Sequence, residues 1–479
     1  MTGRRMSYRR GIGYTAIAVV LAVVLSACGG GSSDKAESPT DSGGGQPELP
    51  DCPLDALQAA DKPVEITYWH AMTRANEEEL QRLTKEFNEQ QSDVHLTLSA
   101  AASYTDNTTR FKAGLTTGKL PDLLQGEDTS LQILIDSQSV LPMAACVAAD
   151  HADISDVAPR TVAYYSLKEV LYGMPFNDSN LVLYYDKALF RKAGLDPNKP
   201  PKTFEELEAA ARKIVQSRAA QYGPALKVDA PPIEHWLAKA GHTIVDNDNG
   251  RTDRATKVTF DDATGESIFA WWNEMDDSKL ALTTTGSFDH YLAVGNGRAA
   301  MTIDSSAALG TISQLFAGGQ FSNIELGVGP MPGPTSPDGG VLVGGAANFI
   351  MNQSAPEKQA AAYEFAKYLA SPKVQSEWAA ATGYVPISQS AATIAPLKQR
   401  YAEQPEYKVA YDQLFDGPVN AATAGAVLGA YGSGNEGMRG AIVDALSRMV
   451  EGQLTPEQAV QSAADKANDA IAEYNERIG

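Results

Sequence analysis

Six histidines, at positions 70, 95, 151, 235, 242 and 290, are the first residues to try for metal or acid–base chemistry. Their spacing speaks against both. A zinc site needs imidazoles or thiolates converging on one ion, as in an i, i+4 pair on a helix face, and none of the six has such a neighbour. No Gly-x-Ser-x-Gly elbow presents a serine nucleophile, and no Walker-type loop cradles a nucleotide phosphate. The carboxylate pairs Asp261-Asp262 and Asp276-Asp277 are adjacent in sequence, do not face each other on a helix, and read as surface charge. Non-covalent capture fits better: fixed donors, a cation and an aromatic or two hold a small polar solute without transforming it. Of the three cysteines, Cys52 and Cys146 are expected to form a disulfide in an oxidising extracytoplasmic compartment, two buried thiols being the alternative.

The elements that must position such groups follow from composition and periodicity. At 479 residues the chain exceeds one hydrophobic core, so two lobes are expected. Its 43% hydrophobic and 20% charged residues are those of an ordinary soluble chain, and its net charge of −20 argues against nucleic acid and anionic membrane surfaces as partners. Arg4, Arg5, Arg9 and Arg10 precede a short apolar run, Ile12 to Leu25, which has the form of a signal peptide. It ends in Leu25-Ser26-Ala27-Cys28, which resembles the bacterial lipobox with Cys28 as the lipidated residue. Residues 29–50 are Gly/Ser/Pro-rich and read as tether.

Beyond them, period-2 alternation at Val64–Tyr68, an apolar helical face of Leu80, Leu83 and Phe87, and renewed alternation at Val94, Leu96 and Leu98 make a parallel strand–helix–strand unit. Strands follow at 123–125, 181–185 and 349–351, and helices at 356–370 and 456–477. The alternation gives an α/β class. Pro175 to Asn180 reads as a turn, and Thr203 with Glu206 as a capping box that opens a helix.

The stretch 171–207 carries a specific resemblance. Its Pro175-Phe176-Asn177, Ser179, Tyr184-Tyr185, Lys187, Phe190, Lys192-Ala193-Gly194-Leu195-Asp196-Pro197 and Pro200-Pro201-Lys202-Thr203 resemble the extracellular solute-binding proteins of family 1, the sugar and glycerol-phosphate branch of ATP-driven importers. Trp69-His70-Ala71-Met72 matches the family's loop after its first strand.

The resemblance implies a two-lobe periplasmic-binding-protein-like α/β fold of type II, with a ligand cleft and about three crossings near 180, 344 and 385. It implies a signal peptide over 1–27, a lipid-anchored tether over 28–62, one lobe from 63–180 plus 345–385, and a second from 181–344 plus 386–479. The expected product is a monomeric lipoprotein, outside the cytoplasm and held to the membrane only through Cys28. It would capture a glycerol-phosphate compound, glycerol 3-phosphate or a diester such as glycerophosphocholine, for delivery to membrane permease subunits. No catalysis, cofactor or metal is implied. The alternatives are an oligosaccharide-binding member of the family, or a secreted phosphodiester hydrolase.

The resemblance also carries ligand roles to individual positions. Tyr104 matches a ligand-contacting tyrosine, Glu127 a glutamate on the glycerol hydroxyls, and Ser179 and Ser305 ligand-binding serines, with Ser306 as the neighbour of the latter. Gly345 matches a glycine whose backbone approaches the ligand, Tyr384 a binding tyrosine, and Arg439 an arginine facing the phosphate. Singly, each would read as a packed aromatic, a surface charge or a turn residue. One departure stands out. Where the glycerol-phosphate binders carry two tryptophans, this chain has Leu226 to Pro232. Their loss would widen the pocket, with Asp229 placed for a cationic head group and Tyr222 for its aromatic face.

Overall fold

The computed structural model describes residues 48–317, 321, 324–432 and 436–478. The signal segment 1–27 and Cys28 lie outside them.

The chain builds two mixed sheets. The first has the order β2-β1-β3-β13-β4, with β7 also paired to β13. Its strands are β1 (Val64–His70), β2 (Val94–Ala100), β3 (Leu123–Glu127), β4 (Val140–Leu141), β7 (Met174–Ser179) and β13 (Gly344–Met351). β1 lies parallel to β2 and β3, as the strand–helix–strand pattern requires, and β13 runs antiparallel to β3, β4 and β7. A small hairpin, β5 (Ser166–Leu167) with β6 (Val170–Leu171), stands apart.

The second sheet has the order β10-β9-β11-β8-β12. It comprises β8 (Leu181–Asp186), β9 (Tyr222–Lys227), β10 (Leu282–Thr284), β11 (Ala299–Ser305) and β12 (Leu326–Pro330). Helices cover both sheets. The helix Arg74–Gln90 buries Leu80, Leu83 and Phe87 as its apolar face demands, and Pro356–Ala370 buries Phe365, Ala366 and Leu369. Pro456–Ile478 buries Ala459, Val460, Ala463, Ala467, Ile471 and Tyr474.

The chain passes from one sheet to the other at Asn180, returns between β12 and β13, and crosses again beyond Tyr384. These crossings lie side by side. Gly345 is in register with Asp178, and Val385 N–H donates to Asp178 O at 2.7 Å.

Three local expectations are corrected. The segment 175–180 is not a turn: Pro175 to Ser179 lie in β7, every residue of which is buried. Asn177 and one oxygen of Asp178 are satisfied by long-range partners, while Asp178 Oδ1 is buried without one. Asn177 accepts from Gln125 Nε2 at 2.9 Å and donates to Tyr104 Oη at 3.0 Å, while Asp178 accepts from Thr161 Oγ1 at 2.5 Å. Second, the reciprocal arm of the capping box shifts by one residue. Thr203 Oγ1 caps Glu206 N–H, but the Glu206 carboxylate accepts from Lys202 N–H rather than from Thr203. Third, order begins ahead of residue 63. A short helix, Asp55–Ala59, follows Cys52, and Leu49, Leu54 and Leu57 pack on the core. Cys52 is disulfide-bonded to Cys146, with Cα atoms 4.9 Å apart, which ties this segment to the first lobe.

Candidate functional site

A cavity of about 250 Å³ lies between the sheets, at the carboxyl ends of β3, β9 and β11 and the start of β13. Ligands of open α/β sheets bind at such strand ends. Tyr104, Glu127, Ser179, Ser305, Gly345, Tyr384 and Arg439 all line it, as does Asp229. Ser306 does not: it is buried behind Ser305. Tyr222 stands at the opposite end of β9 from Lys227, and Trp236 is fully buried in the core, where its indole donates to Pro332 O at 2.9 Å.

Each lining residue is placed by a simple local device. Tyr104 opens the helix Tyr104–Thr117, whose N-cap Ser103 accepts from Asp106 N–H at 3.0 Å. Burial raises the Tyr104 hydroxyl well above its ordinary pKa, so it stays protonated and can donate. Tyr384 follows the left-handed Gly383 that ends the helix Pro372–Thr382, and it stacks on Trp378 with ring centroids 5.4 Å apart. Gly345 has φ +110°, and a Cβ there would meet Asn177 O at 1.8 Å, so only glycine fits beside the crossing strand. Asp229 caps the helix Ala230–Lys239, accepting from Ala230 N–H at 3.0 Å.

Arg439 lies in the first turn of the helix Gly437–Val450. Two of its three guanidinium nitrogens are committed to a carboxylate, and Nη1 is left for a ligand. Nε and Nη2 each donate to Glu234 at 2.7 Å, and Nη2 lies 3.6 Å from Asp128. Glu234 is 1% exposed, so this is a buried bidentate fork. Around it, burial pushes the carboxyls of Glu127 up to about 7 and Asp128 up to about 6, Arg439 only partly opposing the effect. Burial holds His235 down at about 3, so it is neutral.

The other cation is Lys227, at the end of β9, which the sequence did not single out. Its Nζ donates to Asp229 at 2.5 Å. Burial lowers the Lys227 pKa, but the Asp229 carboxylate more than offsets this and leaves it above the usual lysine value. Asp304, beside Ser305, accepts from His290 Nε2 at 2.7 Å and from Ser305 N–H at 2.6 Å. At the segment where the resemblance led to an expectation of tryptophans, the cavity is walled by Lys227, Asp229, Pro231 and Pro232. The sequence also missed Asp128, Asp304 and Glu234. The first two adjoin singled-out positions, which was a usable signal, whereas Glu234 had none. Altogether four carboxylates, Glu127, Asp128, Asp229 and Asp304, face Lys227 and Arg439 across the lining.

Comparison with known proteins gives the family and the fold. Residues 82–408 match the family model described as bacterial extracellular solute-binding protein. The chain belongs to this family. It is thus a solute-binding protein, extracytoplasmic, of the kind that serves ATP-driven importers, and not an enzyme; the hydrolase alternative falls. Over 418 residues it is 28% identical to the sn-glycerol-3-phosphate-binding periplasmic protein UgpB of Salmonella typhimurium, covering 85% of this chain and 93% of the relative. Among solved structures, UgpB from Mycobacterium tuberculosis in complex with glycerophosphocholine superposes with a TM-score of 0.68 at 19% identity, covering 87% of this chain and 100% of the other. The GacH receptor of Streptomyces glaucescens, solved unliganded and with acarbose, superposes at 0.70 with 23% identity, covering 85% and 98%. These two likenesses establish the two-lobe fold.

Proposed function

We propose that this protein captures a glycerophosphodiester with a cationic head group, of which glycerophosphocholine is the type, and passes it to membrane permease subunits. The carrying observation is the charge of the cavity. Both cations are already paired, Arg439 with Glu234 and Lys227 with Asp229, and further carboxylates face them. A phosphate monoester dianion meets net repulsion there. A diester carries one negative charge, and a quaternary ammonium balances it, so the ligand enters with no net charge.

Glu127 and Asp128 accept hydrogen bonds from glycerol hydroxyls, while Tyr104 and Tyr384 donate. Asp229 and Asp304 give a cationic head group the counter-charge it needs, since it cannot donate ordinary hydrogen bonds. The 28% identity to a glycerol-3-phosphate-binding protein and the likeness to a glycerophosphocholine complex support the same chemistry. The proposal includes lipid anchoring through Cys28 and action as a monomer.

A second reading has one observation in its favour. Carboxylates also accept sugar hydroxyls, and several fold neighbours bind oligosaccharides. Against it, the lining among the described residues holds two tyrosines and no tryptophan, and about 250 Å³ lies just below the usual range of ligand pockets. Calorimetry with glycerophosphocholine, glycerol 3-phosphate and maltotriose separates the readings. Glycerophosphocholine is expected to bind most tightly. Binding of maltotriose with no heat from either glycerophosphate would overturn the proposal.

A further inference from the structure

We infer that Lys227 is a cation that takes the ligand's phosphate, and that its pairing with Asp229 sets which phosphate esters are accepted. This rests on the glycerophosphate reading above.

The two cations of the cavity differ in what binding would cost. Arg439 gives both Nε and Nη2 to Glu234, which is 1% exposed, with Asp128 on its flank. Turning that fork toward a ligand would strand a buried carboxylate without a counter-ion, so Arg439 has only Nη1 to offer and cannot reorient. Lys227 is held differently. Its partner Asp229 is 35% exposed on its side chain and keeps a second partner, the Ala230 N–H, when the lysine leaves. A lysine carries three donors, and only one is committed to Asp229. The ammonium can therefore turn to a phosphate oxygen while Asp229 stays solvated and capped.

Position strengthens the assignment. Lys227 is the last residue of β9, and Ser305 is the last of the adjacent strand β11, so a phosphate on Lys227 has the Ser305 hydroxyl within the same wall. Asp229 and Asp304 flank the lysine, and Asp304 adds to the charge it feels. A monoester carrying a second negative charge is repelled by this pair of carboxylates, whereas a diester with a positive head group is drawn to them. The Glu127 and Asp128 end, with Arg439 locked as their counter-ion, is left for hydroxyls.

The test uses the two halves of one ion pair, which must shift binding in opposite directions. Calorimetry on the chain from residue 29 compares wild type, Lys227→Met and Asp229→Asn, with thermal melts to show that each folds. Lys227→Met is expected to weaken glycerophosphocholine and glycerol 3-phosphate by about 10- to 100-fold, the loss of a charge-assisted contact. Asp229→Asn is expected to tighten glycerol 3-phosphate, about 3- to 10-fold, because it frees the lysine and removes repulsion. A merely structural ion pair would weaken binding from both sides. Unchanged binding in Lys227→Met, while wild type binds glycerophosphocholine, overturns the inference and leaves the glycerophosphate reading standing. If wild type binds no glycerophosphate at all, that reading fails and the inference falls with it.

Discussion

Replacing Arg439 by alanine should damage the fold before it damages recognition. The guanidinium makes two hydrogen bonds of 2.7 Å to Glu234, and the two side chains are 13% and 1% exposed. Alanine removes both donors and leaves the Glu234 carboxyl enclosed, with Asp128 nearby and no cation between them. Stranding one member of a buried pair costs about 3–5 kcal/mol. An exposed arginine at the rim of a cleft would cost well under 1 kcal/mol by the same change, so the magnitudes are far enough apart to decide. Urea denaturation of ligand-free protein, followed by tryptophan fluorescence, reads the difference directly. The double replacement Arg439→Met with Glu234→Met should recover most of the loss, since apolar residues of similar volume remove the stranded charge as well as the pair. If Arg439→Ala melts at the wild-type urea concentration, or the double variant is as weak as the single one, the fork is not the stabilising unit described here.

Three further outcomes are expected. Because burial raises the Glu127 carboxyl from 4.5 to about 7, the folded form holds its proton more tightly than the unfolded chain. Its stabilising contribution is present below pH 4.5 and is lost as pH rises toward 7, so Glu127→Gln should flatten stability across that window in urea titrations. Gly345→Ala should cost about 3 kcal/mol or more and weaken ligand binding, because its Cβ collides with Asn177 O at a left-handed φ; equal stability to wild type would contradict the close approach. Alkylation without reductant should label neither Cys52 nor Cys146, and Cys52→Ser should lose about 4–5 kcal/mol, since the bridge closes a loop with a sequence separation of 94.

What the sequence disclosed, and what it hid, divides along physical lines. The strand–helix–strand unit from Val64 to Ala100 was legible because apolar spacing alone specifies it. β7 was not, because Asn177, Asp178 and Ser179 are turn formers by local preference. Asn177 and Asp178 are held in the strand by hydrogen bonds from Gln125 and Thr161 and to Tyr104, all distant in sequence. The site residues were reachable through motif matches, and the cavity gathers all seven with Asp229. Their partners were not reachable in the same way. Glu234 is separated from Arg439 by 205 positions and sits on a helix face that reads as ordinary charge. The departure at Leu226 to Pro232 was visible in the sequence as an expected loss of aromatic surface. That Lys227 and Asp229 pair with each other emerged only in three dimensions.

The side-by-side crossings have a consequence for how tightly such a receptor can be tuned. Ser179 and Gly345 line the cavity and also belong to the strands that join the lobes, with Asp178 bonded to the third crossing at Val385. The affinity observed in solution is the intrinsic affinity multiplied by the fraction of molecules already in the binding-competent arrangement. Here a change at Ser179 or Gly345 moves both, one by altering a contact and the other by altering the bend of the joint. Selection for a weaker or stronger grip can act independently of the resting population only through residues such as Lys227 and Asp229, which sit away from the crossings.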